Sequence, residues 1–151
     1  MGWSRLGIAF HIASDMIRFM QYRLLRHRAA TEGGCISDWY RKDIVSASAR
    51  AEFDKTLRDL RILAAKDWSR PDYSALSGKH SGIGEIRFKG DKREYRPLGF
   101  FLTGDAQETF VILIGAHKKM GKWTPLEARD SAIERRKDVL RDRTYIGDYA
   151  F

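Results

Sequence analysis

From Leu76 to Thr124 the chain reads LSGKHSGIGEIRFKGDKREYRPLGFFLTGDAQETFVILIGAHKKMGKWT, a run of short alternating and apolar segments. Ile83–Lys89 alternates, with Ile86 and Phe88 on one side and Glu85, Arg87 and Lys89 on the other, which predicts a strand. Gly90-Asp91 predicts a hairpin turn, and that turn sets Arg87 opposite Glu94 and Glu85 opposite Arg96. Pro97 lacks a backbone donor, so an edge or a bulge is expected near it. Thr103–Glu108 reads as a polar turn. Thr109–Ala116 (TFVILIGA) is uncharged and mostly apolar, the pattern of a central strand buried on both faces. His117-Lys118-Lys119 follows as a basic turn.

Upstream the period lengthens. Between Val45 and Lys66, the residues Phe53, Leu57, Leu60 and Ala64 fall on one helical stripe, and Pro71 closes the segment after Trp68. Ile36–Arg41 reads as a first strand or the entry to a helix. Downstream, Thr124-Pro125-Leu126-Glu127 reads as a capping box that opens a last helix. Its apolar stripe would be Leu126, Ala132, Ile133, Val139 and Leu140, with Gly147 as the stop. Residues 1–30 predict a helix of about 20 residues with basic Arg23, Arg26 and Arg28 at its C-terminal end. Asp15 and Arg18 interrupt its apolar run, so a membrane span is not expected. A signal peptide is weakly indicated, because Ala29-Ala30 follows a basic run. Thr31–Gly34 reads as a linker. Residues 1–34 thus form an N-terminal extension, either an appendage or translated upstream sequence, ahead of a domain spanning 35–151.

A chain of 151 residues with 43% apolar positions and 18 aromatic residues suffices for one folded core. The single cysteine, Cys35, excludes an intrachain disulfide and argues against a thiolate metal site. The net charge of +8 is unevenly spread: residues 78–122 carry nine basic and five acidic side chains, the largest excess, while residues 123–151 balance at six and six. A polyanionic partner follows, nucleic acid before membrane.

No nucleophile elbow, phosphate-binding loop or dinucleotide glycine motif occurs. His11, His27, His80 and His117 lack metal-ligand spacing. The remaining chemistry is basic. Arg87 and Arg96 are expected on one sheet face, with His117 and Lys118 where the apolar strand ends. These four are the candidate catalytic residues. Lys79, Lys89, Lys119 and Lys122 are the candidate RNA contacts. Arginine forks match phosphate oxygens, and a histidine near neutrality can exchange a proton. RNA can be cut with no metal when its 2′-hydroxyl attacks the adjacent phosphorus, given alignment and charge neutralisation. Arg87–Glu94 and Arg96–Glu85 could equally be plain cross-strand ion pairs. Trp123, Tyr40 and Tyr95 read as structural.

The segments GEIRF, EYRPLGFF and FVILIGAHKKMGKWTP, in that order and followed by a helix, resemble the RelE/HigB superfamily of type II toxins, closest to its phage-derived HigB-like branch. The similarity covers roughly residues 36–142. It implies an α+β, RelE-like fold, with N-terminal helices, a twisted, mainly antiparallel sheet of about four strands and a C-terminal helix. It also implies a cytoplasmic, ribosome-dependent mRNA endoribonuclease without cofactor or metal, neutralised by a partner antitoxin of helix-turn-helix type. By position, Arg96 would stabilise the phosphate, and His117, Lys118 and Lys119 fall where the family carries basic residues. Departures are Glu85, where the family has a lysine, and Trp123-Thr124-Pro125 in the neighbourhood of a catalytic tyrosine. The alternatives are a non-enzymatic poison of DNA gyrase, as in the ParE relatives, and an inactive prophage nucleic-acid-binding protein.

Overall fold

A computed structural model describes residues 23–27, 36–104 and 108–148. Among the described residues, a short strand at Arg23–His27 is followed by two helices. Helix α1 spans Ile36–Lys42 and buries Ile36 and Trp39, which settles that segment as helix. Helix α2 spans Ala47–Arg61 and starts at Ser46, whose Oγ accepts from the Ala49 amide at 3.0 Å. Its stripe of Phe53, Leu57 and Leu60 is buried, as the 3.6-residue period requires. Ala64, the fourth residue of the expected stripe, lies beyond the helix.

Ten short strands follow or flank these helices: β1 Arg23–His27, β2 Tyr73–Ala75, β3 Gly84–Ile86, β4 Phe88–Gly90, β5 Arg93–Tyr95, β6 Leu98–Leu102, β7 Thr109–Ile114, β8 His117–Lys119, β9 Lys122–Thr124 and β10 Ile146–Asp148. They form a six-stranded sheet of order β10-β1-β7-β6-β3-β2 and a four-stranded sheet of order β4-β5-β8-β9. All neighbours are antiparallel except β1 and β7. The architecture is therefore α+β, with more strands than the expected four.

The chain crosses directly between the sheets at three places, and the expected Ile83–Lys89 strand is split by the first of them. The chain passes from β3 to β4 at Arg87, from β5 to β6 at Arg96-Pro97 and from β7 to β8 at Gly115-Ala116. The joints keep the ladder: Ile86 donates to Pro97 O at 3.0 Å and Arg96 donates to Ala116 O at 2.7 Å. The same pairing frame holds on both sides, Glu85 with Leu98 and Phe88 with Tyr95, so the two sheets are halves of one surface folded along this seam. By that frame Arg87 faces Arg96, not Glu94. The expected register was two residues out, because the turn is Asp91-Lys92 (φ 52° and 58°), not Gly90-Asp91.

Strand β7 is buried at every position and lies between β1 and β6, as its apolar run predicts. Its alternate side chains feed two cores. Phe110 and Ile112 join α1, α2, Trp68, Phe88 and Tyr95, while Val111 and Leu113 join Phe100, Trp123 and the last helix. At about 25 cal/mol per Å² of apolar area, these two layers are the main stabilising term. That last helix, α3, spans Ala128–Arg141. The expected capping box fails: the helix begins at Ala128 with Glu127 at the N-cap position, and Thr124 is the last residue of β9. Ala132 and Val139 are buried on α3, but Leu126 and Leu140 are exposed.

The N-terminal reading needs one correction. Arg23–His27 is a strand, so Arg23 and Arg26 do not end a helix. It pairs with β7 and β10 and is part of the main sheet. The remainder of the expected helix, with His11, Arg28 and Cys35, lies outside the described residues.

Candidate nucleic-acid interface

The seam carries an arginine cluster because the fold brings two alternating strands to one corner. Arg96 has 3% side-chain exposure, Glu85 6% and Arg87 24%. Arg87 Nη1 donates to Glu85 Oε1. Arg96 Nη1 donates to the Tyr95 carbonyl at 2.8 Å, and Arg96 stands 3.5 Å from Glu94 and 3.9 Å from Glu85. Arg96 Nε and Glu85 Oε2 are buried with no hydrogen-bond partner. Burial first, and then the neighbouring Arg87 charge, hold the Arg96 guanidinium below the usual arginine range. It nonetheless stays protonated, as arginine does in proteins. The two guanidiniums are matched by buried Glu85 and partly exposed Glu94, and one buried N–H is left without a hydrogen-bond acceptor.

That cluster opens into a cleft of about 630 Å³. Its walls are Glu52 and Thr56 of α2, the Arg70-Pro71-Asp72 segment, and Arg87, Phe88, Lys89 and Arg96 of the seam. The Arg87 amide donates to the Asp72 carbonyl at 2.7 Å, which fixes that segment against the corner. Phe88 offers no free ring: it stacks on Phe53 and on Tyr95, each at 4.8 Å. The cleft is thus suited to an oxyanion more than to a stacked base.

Of the eight candidate residues, the fold brings Arg87, Arg96 and Lys89 together in the cleft. His117 is not with them. Register puts Phe88, Tyr95, His117 and Thr124 on one face of the four-stranded sheet and Lys89, Glu94, Lys118 and Trp123 on the other. The His117 ring lies against Tyr95, 6.3 Å between centroids. Burial, followed by the charge of Arg93, lowers its pKa from 6.5. It is a neutral imidazole at pH 7, on the α1–α2 side. Lys118 holds its Nζ 4.8 Å from the Trp123 ring centroid. Lys119 and Lys122 pair across the β8–β9 hairpin, so the expected His-Lys-Lys turn is a strand, and the turn itself is Met120-Gly121. Lys79 is 3.7 Å from Asp130 of α3, an ion pair outside the cleft.

Sequence reasoning missed Arg70, Glu52 and Asp72, and took Glu85 as a departure from pattern when it is the residue that organises both arginines. The alternation of Glu85 with Arg87 was a visible signal for that role; nothing local marked Arg70. Among the described residues no group of three His, Cys, Asp or Glu side chains is placed to hold a metal, and no helix is long and apolar enough to cross a membrane. Comparison with family models, curated proteins and solved structures finds no match to this chain.

Proposed function

We propose that the chain is a toxin-type endoribonuclease whose Arg87–Arg96 cleft grips an RNA phosphodiester and promotes attack by the adjacent 2′-hydroxyl. One observation carries this reading: Arg87, a quarter exposed, and the buried Arg96 behind it both line one open cleft. A phosphate oxygen in the cleft would meet the Arg87 guanidinium directly, with the Arg96 charge behind it. As O2′ bonds to phosphorus and the P–O5′ bond breaks, charge grows on the equatorial oxygens, and fixed guanidiniums bind that state more strongly than the substrate. The products are a 2′,3′-cyclic phosphate and a 5′-hydroxyl. Glu85 is a positioning residue, holding Arg87 in its orientation. Arg70 and Lys89 lengthen the positive track for the flanking backbone. DNA, lacking the hydroxyl, would bind but not be cut.

Within residues 36–142 the order of two helices, antiparallel strands and a closing helix supports the RelE-like reading. On that reading the substrate is mRNA on the ribosome, and a cognate antitoxin covers the toxin. The test is induction of the chain alone in bacteria with mapping of mRNA 5′ ends. Cuts within ribosome-bound codons are expected. Growth arrest with intact mRNA would sink the enzymatic reading.

A second reading has its own support. His117 lies on the other sheet face, so the cleft has no histidine to move protons. That favours a non-enzymatic poison on the same scaffold, for which a DNA-damage response with intact mRNA is the expected signature.

A further inference from the structure

The tip of the β8–β9 hairpin is exposed at every position from Lys119 to Lys122. Lys119 pairs with Lys122, leaving Met120 and Gly121 as a two-residue loop with φ 50° and 77°. Such loops favour Asn, Asp or Gly at the first position, because a side chain in the left-handed region is strained. Here the position is methionine, and it is 94% exposed. The other two-residue turn behaves differently: Asp91 accepts from the Ser46 amide at 3.2 Å and from the Tyr95 hydroxyl at 3.0 Å. Met120 has both the unfavourable backbone and the unburied apolar side chain. Strain combined with exposure points outward, to a partner.

Charge defines what that partner is. Lys119 and Lys122 are exposed, and neither meets a carboxylate among the described residues. At the hairpin root, Lys118 and Arg129 both lie over Trp123, at 4.8 Å and 5.7 Å, which keeps two more cations ordered on a buried ring. No acidic residue occurs from His117 to Pro125. A two-stranded ribbon is narrow enough to enter a groove of a double helix, and exposed Met side chains act as wedges at base steps.

We propose that this hairpin is a second nucleic-acid contact, distinct from the cleft, in which Lys119 and Lys122 straddle the phosphates of a duplex and Met120 enters its groove. The contact uses none of the cleft's lining residues. It therefore stands or falls separately from the cleavage reading.

The test uses the full chain and fluorescence anisotropy with labelled duplexes of about 16 base pairs, one RNA and one DNA. Replacing Lys119 and Lys122 together by alanine is expected to lower the slope of log affinity against log salt by about two. Met120→Asn relieves the backbone, so its Tm should hold or rise, while duplex affinity falls with the salt slope unchanged. Preference for RNA would assign the A-form minor groove and preference for DNA the B-form major groove; either upholds the contact. Unchanged duplex affinity in both variants overturns it. So does equal or tighter binding to phosphatidylserine vesicles that is lost in the same variants, since the surface would then be a lipid contact. Arg96→Ala removes the cleft's own share of binding; in that background the Lys119 and Lys122 replacement should still lower the slope by about two, and no further loss there would merge the two sites and overturn the proposal.

Discussion

The two faces of the four-stranded sheet are built from the same four strands and do opposite things. One face sets Phe88 and Tyr95 against Trp39 and Phe53, a dry aromatic stack in which His117 is a marginal member. The other carries Lys89, Glu94 and Lys118, and at its folded edge Arg87 and Arg96. Strand alternation alone decides which groups can act together: a one-residue step moves a side chain across the sheet. Residues adjacent in sequence, Arg96 after Tyr95 and Lys118 after His117, are therefore separated in function. A cationic site does not gain a histidine because one is next along the chain.

Four substitutions test that division. Arg96→Ala should have the largest effect. Removing a phosphate-facing donor is expected to lower RNA cleavage about 10²–10³-fold. It also leaves buried Glu85 with one fewer cation, for a loss of roughly 3 kcal/mol in urea unfolding. Phe53→Ala attacks the dry face instead. A loss of about 3–5 kcal/mol is expected from the cavity, with RNA affinity per folded molecule unchanged. If affinity fell as far as stability, the two faces would be coupled through α2. His117→Ala should change cleavage less than about twofold, well short of the 10²–10⁴ expected for a general acid or base. A hundredfold loss would put His117 back among the reacting groups.

Asp91→Asn should have the smallest effect, and one confined to acid. The hydrogen bond with Ser46 is the first cause of the lowered Asp91 pKa, with the Tyr95 hydroxyl contributing. A carboxylate whose folded pKa is lowered stabilises above its ordinary value near 3.8 and loses that contribution as pH falls through the folded one. The parent and Asp91→Asn chains should therefore differ in Tm at pH 6 and converge as pH drops below that value. A constant gap down to pH 2 would contradict the assignment.

Much of the frame was legible. The stripe Phe53, Leu57 and Leu60 and the uncharged run of β7 were read correctly because burial imposes periods that composition cannot hide. The turn was misread for a physical reason. Gly90 looks like a turn residue, but a Cβ there would come within 2.6 Å of the Ala49 Cβ, so its smallness serves the approach of α2. Gly115 likewise makes room for the Trp39 ring, which a Cβ would meet at 2.0 Å. The fold in the sheet was legible at one of its three joints: Pro97 predicted an edge or bulge, and the register shifts beside it at Leu98-Gly99, while nothing in Arg87 or Gly115-Ala116 breaks the local strand pattern. That seam is what gathers Arg70, Arg87 and Arg96, so the site was only half visible from its residues.

The parallel pairing of β1 with β7 has a further consequence for anyone who trims this protein. Removing everything up to residue 34 would take away the strand that pairs with Thr109–Ile112, in a run of six residues with no charge to deter self-association. Such a shortened form should be recovered as aggregates or strand-linked dimers, whatever becomes of its arginines.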